Sequence, residues 1–120
     1  DVQPFFASAV WRRIRQAAQI LREEPFITAL PADEVVPGSG VPGAEVLVQG
    51  IADLVLVFDD HAEILDYKTD RSTDAEFYLR EYADQLRLYR RAFAQRLRVP
   101  VTKLTIYSFT MQQEIDVPLR

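Results

Sequence analysis

The stretch EVLVQGIADLVLVF, residues 45–58, is apolar on both of its alternating faces apart from Gln49 and Asp53. AEILDYK, residues 62–68, repeats the pattern before it ends in an aspartate and a lysine. Successive side chains of a strand point to opposite faces, so a strand that is apolar on both must be covered on both. Two such strands in a chain of 120 residues call for a sheet with layers on either side, and helices are the elements left to supply them. Residues 5–22 carry Phe6, Val10, Ile14, Ala17 and Leu21 at spacings of three or four, with Arg12, Arg13 and Arg15 between them. That spacing predicts an amphipathic helix stopped by Pro25. From residue 74 to about 98, Leu79, Tyr82, Leu86, Tyr89, Phe93 and Leu97 form a second, longer helical stripe. Ser72, Thr73 or Asp74 can cap it, with Glu76 in capping-box spacing from Thr73, and Pro100 ends it.

The remaining segments complete the sheet. FITAL, residues 26–30, reads as a short strand, and KLTIYSF and QEIDVPL read as two more joined by a turn near Met111. PADEVVPGSGVPGA, residues 31–44, holds three of the four glycines and reads as an exposed loop through which neither a helix nor a central strand runs. Gly50 is expected to break or bend its strand. The expected fold class is α/β: a central mixed sheet flanked by helices, residues 1–120 forming one domain.

The charged residues within the apolar strands need a reason. A hairpin with Asp59 and Asp60 as its loop places Asp53 directly across from Asp66. Opposed side chains have Cβ atoms about 4.5–5.5 Å apart, and like charges so placed repel. Asp66 and Lys68 share a face while Tyr67 points to the other, so the ammonium comes to the same side as both carboxylates. Paired carboxylates are a hard-oxygen site suited to Mg²⁺ or Mn²⁺, which also bind phosphate oxygens. Such a cation would hold the aspartates together and activate a water, with Lys68 orienting that water or stabilising charge on a phosphate. The plainer reading, a same-face ion pair of Asp66 and Lys68 with Asp53 exposed, is equally compatible with the spacing.

Taken in order, REEPF, QGIADLVLV, LDYKTD and YADQLRLY resemble the C-terminal nuclease domain of RecB and AddA-type helicase-nucleases, within the PD-(D/E)XK nuclease superfamily. The AddA-type branch is the nearer match, since the LTIYSF strand also falls in place. The resemblance implies Asp53 and Asp66 as metal ligands and Lys68 as the catalytic lysine. It implies Glu23, with Glu24 the alternative one residue on, as a further acidic group. Gln85 and Tyr89 match the family's Q-x-x-x-Y motif, whose i, i+4 spacing sets both on one helix face beside the active site. For Tyr89 a plain core role competes, because it also lies on the apolar stripe. Thr69 and Asp70 are expected to serve the turn after the strand, and His61 to be exposed and no ligand.

By that resemblance the chain is a Mg²⁺-dependent DNA exonuclease domain of an ATP-dependent helicase-nuclease that processes double-strand breaks for recombinational repair. Its partners would be DNA, the helicase portion of the same polypeptide and a second nuclease-helicase subunit. Relatives carry an upstream helix with a metal-binding histidine, and no matching histidine precedes Asp53, so the chain reads as a fragment of a larger domain. Two rivals stand beside this reading: a non-catalytic DNA-binding or docking module that retains the fold, and a stand-alone restriction- or phage-type exonuclease.

Composition narrows the rest. A net charge of −4 gives no broad basic surface, so DNA would be met by a local patch or by bound cations. Arginines 80, 87, 90, 91, 96 and 98 on the second helix could meet phosphates or form a salt-bridged solvated face. The absence of cysteine excludes disulfides and cysteine-held iron-sulfur clusters and fits a cytoplasmic location. No G-x-x-x-x-G-K occurs, so this chain holds no ATP site. No apolar run approaches the ~20 residues of a membrane span, and DVQPFF lacks the marks of an export signal.

Overall fold

The structure, a computed structural model, describes residues 3–38 and 42–120. One five-stranded sheet runs in the order β1-β2-β3-β4-β5: Gln19–Pro31, Glu45–Val57, Ala62–Lys68, Val101–Ser108 and Gln113–Val117. All neighbours are antiparallel except β3 and β4, which are parallel and joined through the long helix α4, Ala75–Leu97. This is the mixed, helix-flanked sheet expected from the sequence.

Helix α4 covers one face. Leu86 and Phe93 are fully buried there with Val55, Ile64, Leu104 and Ile106 of the sheet. Asp74 caps it, its Oδ1 accepting from Glu76 N at 3.0 Å, and Ser72 Oγ accepts from Asp74 N at 3.1 Å. Its end is a left-handed Arg98, φ 59°. The opposite face is covered by α1, Gln3–Phe6, and α2, Ala9–Gln16, which pack Phe5, Val10 and Ile14 onto Leu54, Leu56, Leu65 and Tyr107. The guanidinium of Arg13 ties α2 to the sheet, 2.9 Å from the buried Glu63 and 3.4 Å from Glu114. Among the described residues no helix is long and apolar enough to cross a membrane.

Several expectations from sequence are corrected. The first helix is split at Ala7 and Ser8, where Ser8 Oγ caps α2 by accepting from Trp11 N at 3.1 Å. It ends at Gln16, not Arg22, because Gln19 to Arg22 pair with β2 instead. Pro25 therefore stops no helix; it lies within β1, opposite Ile51. β1 is a sheet edge, where the missing N–H of a proline need not break a ladder. The loop after β1 contains one helical turn, α3, Ala32–Val35, and its residues 39–41 lie outside the described part.

Gly50 does not break β2, which runs unbroken from Glu45 to Val57. Its lack of a side chain serves close packing: a Cβ there would sit 3.2 Å from the Phe26 ring and 3.3 Å from that of Tyr89. Gly50→Ala should push both rings and cost about 1–3 kcal/mol, the usual penalty of overpacking. Thermal denaturation checks this, and an unchanged Tm would show that the rings yield freely.

The bend lies three residues on, at Asp53. Val48 and Ala52 face α4, and so do Val55 and Val57, so the two-residue alternation slips by one between them. β1 slips at the same level, from Phe26 to Leu21, through a left-handed Glu23 with φ 47°. Positive φ strains a residue bearing a Cβ, so the kink persists only because the paired strands enforce it.

Candidate active site

The β2/β3 hairpin keeps the register read from sequence. Phe58 N donates to His61 O at 2.8 Å, centring the turn on Asp59 and Asp60, and Leu54 faces Leu65. Pairing stops there, although β3 continues beside β4 to Lys68. The strands part at the level of the β2 kink, which leaves the N–H of Tyr67 without a backbone partner on β2. Asp53 takes that place, its Oδ2 accepting from Tyr67 N at 2.8 Å. A carboxylate thus stands where the ladder would have continued, beside the next acidic side chain.

Asp66 lies on the α4 face of β3 and is 5% exposed. Lys68 Nζ is 2.9 Å from its Oδ2 as an ion pair, off the alignment of a hydrogen bond, so among the described residues this buried oxygen has no hydrogen-bond partner. Burial, more than any other influence, pushes the carboxyl up to about 7; Asp53, close enough to hydrogen-bond and repel, adds to the rise, and Lys68 opposes it. A buried carboxylate beside another, with an orphaned oxygen, is a group short of positive charge. These donors fit a hard divalent cation.

Lys68 sits between two partners. Its other side meets the face of Tyr82, with the ammonium 4.0 Å from the ring centroid. Tyr82 in turn donates to Asp70 Oδ2 at 2.8 Å. That acceptor, more than any other influence, pushes the Tyr82 phenol up to about 12, so it stays protonated as the donor. Asp70 has the turn role expected of it, since its carbonyl also accepts from Tyr78 and Thr110 hydroxyls at 2.9 and 2.6 Å.

Glu23 and Asp53, facing residues of β1 and β2, line one cavity of about 430 Å³ with Arg22, Leu54 and Tyr67. Glu24 points elsewhere: it pairs with Arg96 of α4. Of the two glutamates, Glu23 is the one that lines the cavity. Among the described residues no three His, Asp or Glu side chains converge into a cage; Asp66 has Asp53 close to it, and Glu23 lies by Asp53 in the cavity. Tyr89 is buried against Phe26, ring centroids 5.0 Å apart. Its phenol is raised by burial first and then by the charges of Asp66 and Asp53, which places it within electrostatic reach of the pair. Gln85 is exposed on the same helix.

Two residues at the site were not singled out from sequence. Tyr82 lies on the apolar stripe, where a core role explained it. Arg22 had the signal of a cation next to Glu23, but the expected helix end hid it. The α4 arginines resolve mainly as structure: Arg87 Nε donates to Pro118 O at 3.0 Å, Arg90 Nε to Val101 O at 3.1 Å, Arg91 pairs with Glu34, and Arg96 with Glu24 and Pro25 O.

Comparison with known proteins decides the family. The sequence profile of the PD-(D/E)XK nuclease superfamily matches residues 3–117. The chain belongs to that superfamily. Among curated proteins this PD-(D/E)XK chain is similar to the AddA-type subunit of the ATP-dependent helicase/nuclease of Geobacillus thermodenitrificans, 41% identical over 115 residues, covering 88% of the chain and 9% of that protein. It is 35% identical to the corresponding subunit from Heliobacterium modesticaldum over 122 residues, covering 96% of the chain and 9% of that protein. The AddA-type likeness read from the motifs therefore holds, and the chain spans about a tenth of the length of these relatives. Among solved structures, the crystal structure of SSO0001 superposes with a TM-score of 0.55 at 19% identity, covering the whole chain and 50% of that one, which supports the fold.

Proposed function

We propose that this chain is the metal-dependent DNA nuclease part of an ATP-dependent helicase-nuclease that processes double-strand breaks. The observation that carries the reading is the Asp53–Asp66 pair at the parting of β2 and β3, with the Lys68 ammonium 2.9 Å from a buried, otherwise unsatisfied oxygen. Asp53 and Asp66 would hold Mg²⁺ or Mn²⁺, with Glu23 beside Asp53 in the cavity. A divalent cation bound there supplies Lewis acidity to a phosphate oxygen and lowers the pKa of a water. The chain's own residues do the rest. Asp53 keeps its orientation through Tyr67 N–H, and the ammonium of Lys68 neutralises charge that develops on the phosphate during attack. Arg22, exposed at the cavity, offers a bidentate contact to the DNA backbone. Tyr89, within electrostatic reach of Asp66 and Asp53, and the exposed Gln85 four residues before it on α4 would help place DNA. The partners this assignment requires are the helicase portion of the polypeptide and a second nuclease-helicase subunit.

Incubating the 120-residue chain with linear double-stranded and single-stranded DNA in Mn²⁺ tests the assignment. Cleavage should appear, and Asp53→Ala should lower it at least ~10²-fold, the scale on which a key electrostatic group acts. Equal cleavage by wild type and Asp53→Ala would remove the assignment.

A further inference from the structure

The Lys68 ammonium rests on the ring of Tyr82 at 4.0 Å, and the ring is fixed by a 2.8 Å bond from its hydroxyl to Asp70 Oδ2. We propose that Tyr82 is a positioning residue, whose ring face holds the Lys68 ammonium against Asp66 so that its remaining side is presented to the scissile phosphate. The role assigned to Lys68 rests on the nuclease reading above; the contact itself does not.

A core role accounts for neither end of Tyr82. Packing against the apolar cluster would be met by leucine or phenylalanine of similar bulk, yet here one face of the ring carries a cation and the hydroxyl carries an acceptor. The cation is attracted by the negative face of the ring, and the attraction grows as water is excluded. Lys68 is 20% exposed at the side chain, so the contact forms where solvent is already reduced.

Asp70 is itself immobilised. Its carbonyl receives hydroxyls from Tyr78 and Thr110, and Ser108 Oγ donates to Tyr78 Oη at 3.0 Å, so β4, the turn after it and α4 all hold the segment that follows Lys68. Lysine is a flexible stem carrying a point charge with three donors. Asp66 occupies one side of that charge and the ring a second. Without the ring the ammonium regains rotamers that leave Asp66, and the fraction of molecules with the charge in place falls.

The chain has two lysines, Lys68 and Lys103, which makes the contact directly observable. In protein labelled with ¹³C-lysine, the ε-methylene signal of Lys68 should lie upfield of that of Lys103, shifted by the ring current of Tyr82. Lys103, paired with Asp116, serves as the internal reference. Tyr82→Leu should return the signal to the Lys103 position, and Tyr82→Phe should leave it upfield. In cleavage assays Tyr82→Leu should lower kcat about 10- to 30-fold with KM within about threefold, and Tyr82→Phe should recover most of the loss. Should the leucine chain not fold, Asp70→Ala frees the ring without removing it and should move the signal partway. A wild-type Lys68 signal at the Lys103 position, or one that stays upfield in Tyr82→Leu, overturns the proposal. A shift lost in Tyr82→Leu with kcat unchanged overturns it equally. Wild-type protein that does not cut DNA removes the nuclease reading, while the resonance still decides whether Tyr82 holds Lys68.

Discussion

Asp66→Asn should stabilise the metal-free chain at pH 8 and abolish its response to divalent metal. The sign follows from the carboxyl being raised from 3.8 to about 7 in the folded state, by burial first and by Asp53 after it. Between those values the folded chain binds a proton that the unfolded chain has released, so stability contributed by this group is full below about pH 4 and is lost as pH rises through 7. A shift of that size corresponds to on the order of 4 kcal/mol at pH 8. Asparagine carries no charge and escapes the loss. In chelator, the variant and wild type should therefore melt together near pH 3 and separate by roughly 10 °C or more at pH 8, the variant higher. Mn²⁺ should raise the wild-type Tm and leave the variant unmoved, since a ligand stabilises only the state it binds. Equal melting of both proteins at pH 8 in chelator would mean that Asp66 is not held in a charge-starved place, and the metal site would go with it.

That arrangement was largely legible in the sequence, because it depends on local rules. The period of two in AEILDYK put Asp66 and Lys68 on one face, and a symmetric turn at Asp59 and Asp60 fixed Asp53 one step beyond the Leu54–Leu65 pair. The α4 stripe was legible for the same reason, its apolar positions from Leu79 to Leu97 recurring over about five turns. What escaped was set by distant chain. Leu21 falls in helical step with Val10, Ile14 and Ala17, yet Ala18 N donates to Val57 O and Gln19 faces Val57, so tertiary pairing overrides the local period. The left-handed Glu23 follows from that pairing and has no signature in the residues around it. Tyr82 escaped for a different reason: an apolar position on a helix stripe gives no sign that a cation will lie on its ring.

The kink explains why acidic groups gather at this level and not elsewhere on β2. Below it, β2 and β3 share a continuous ladder that buries Val55, Leu56 and Ile64, and its one acidic residue, Glu63, is neutralised by Arg13. Above it, β2 has parted from β3 and pairs only with β1, and its outward side chains Leu47 and Ile51 are exposed. At the junction, one backbone donor is released and one cavity opens. A carboxylate is suited to both, accepting from Tyr67 N and facing the cavity with Glu23. The proposed site thereby lies where the ladder ends, the position at which a polar group costs the fold least.

The largest kinetic effect should come from Lys68→Met, which keeps the stem and removes the charge. Methionine retains packing on the Tyr82 ring through its thioether, so the fold should hold, while the Asp66 carboxylate left without its partner should lower the melting temperature at high pH. Two consequences for the site then pull apart. Losing the ammonium removes the cation that favours ionised Asp66, which raises its carboxyl further, and it also removes a positive charge that repels an incoming metal. Near pH 6 the first effect wins, because a proton competes for the carboxylate, and Mn²⁺ affinity measured by calorimetry should fall. At pH 8.5 the carboxylate is free, the second effect wins, and affinity should equal or exceed that of wild type. Turnover has no such crossover. With the metal bound, the developing phosphate charge still lacks its ammonium, so kcat should fall on the order of 10²- to 10³-fold at every pH, as when one charge-stabilising donor is deleted. A variant that binds Mn²⁺ at pH 8.5 yet cuts DNA at the wild-type rate would show that Lys68 serves only to hold Asp66 in place, and the catalytic role would pass to another cation.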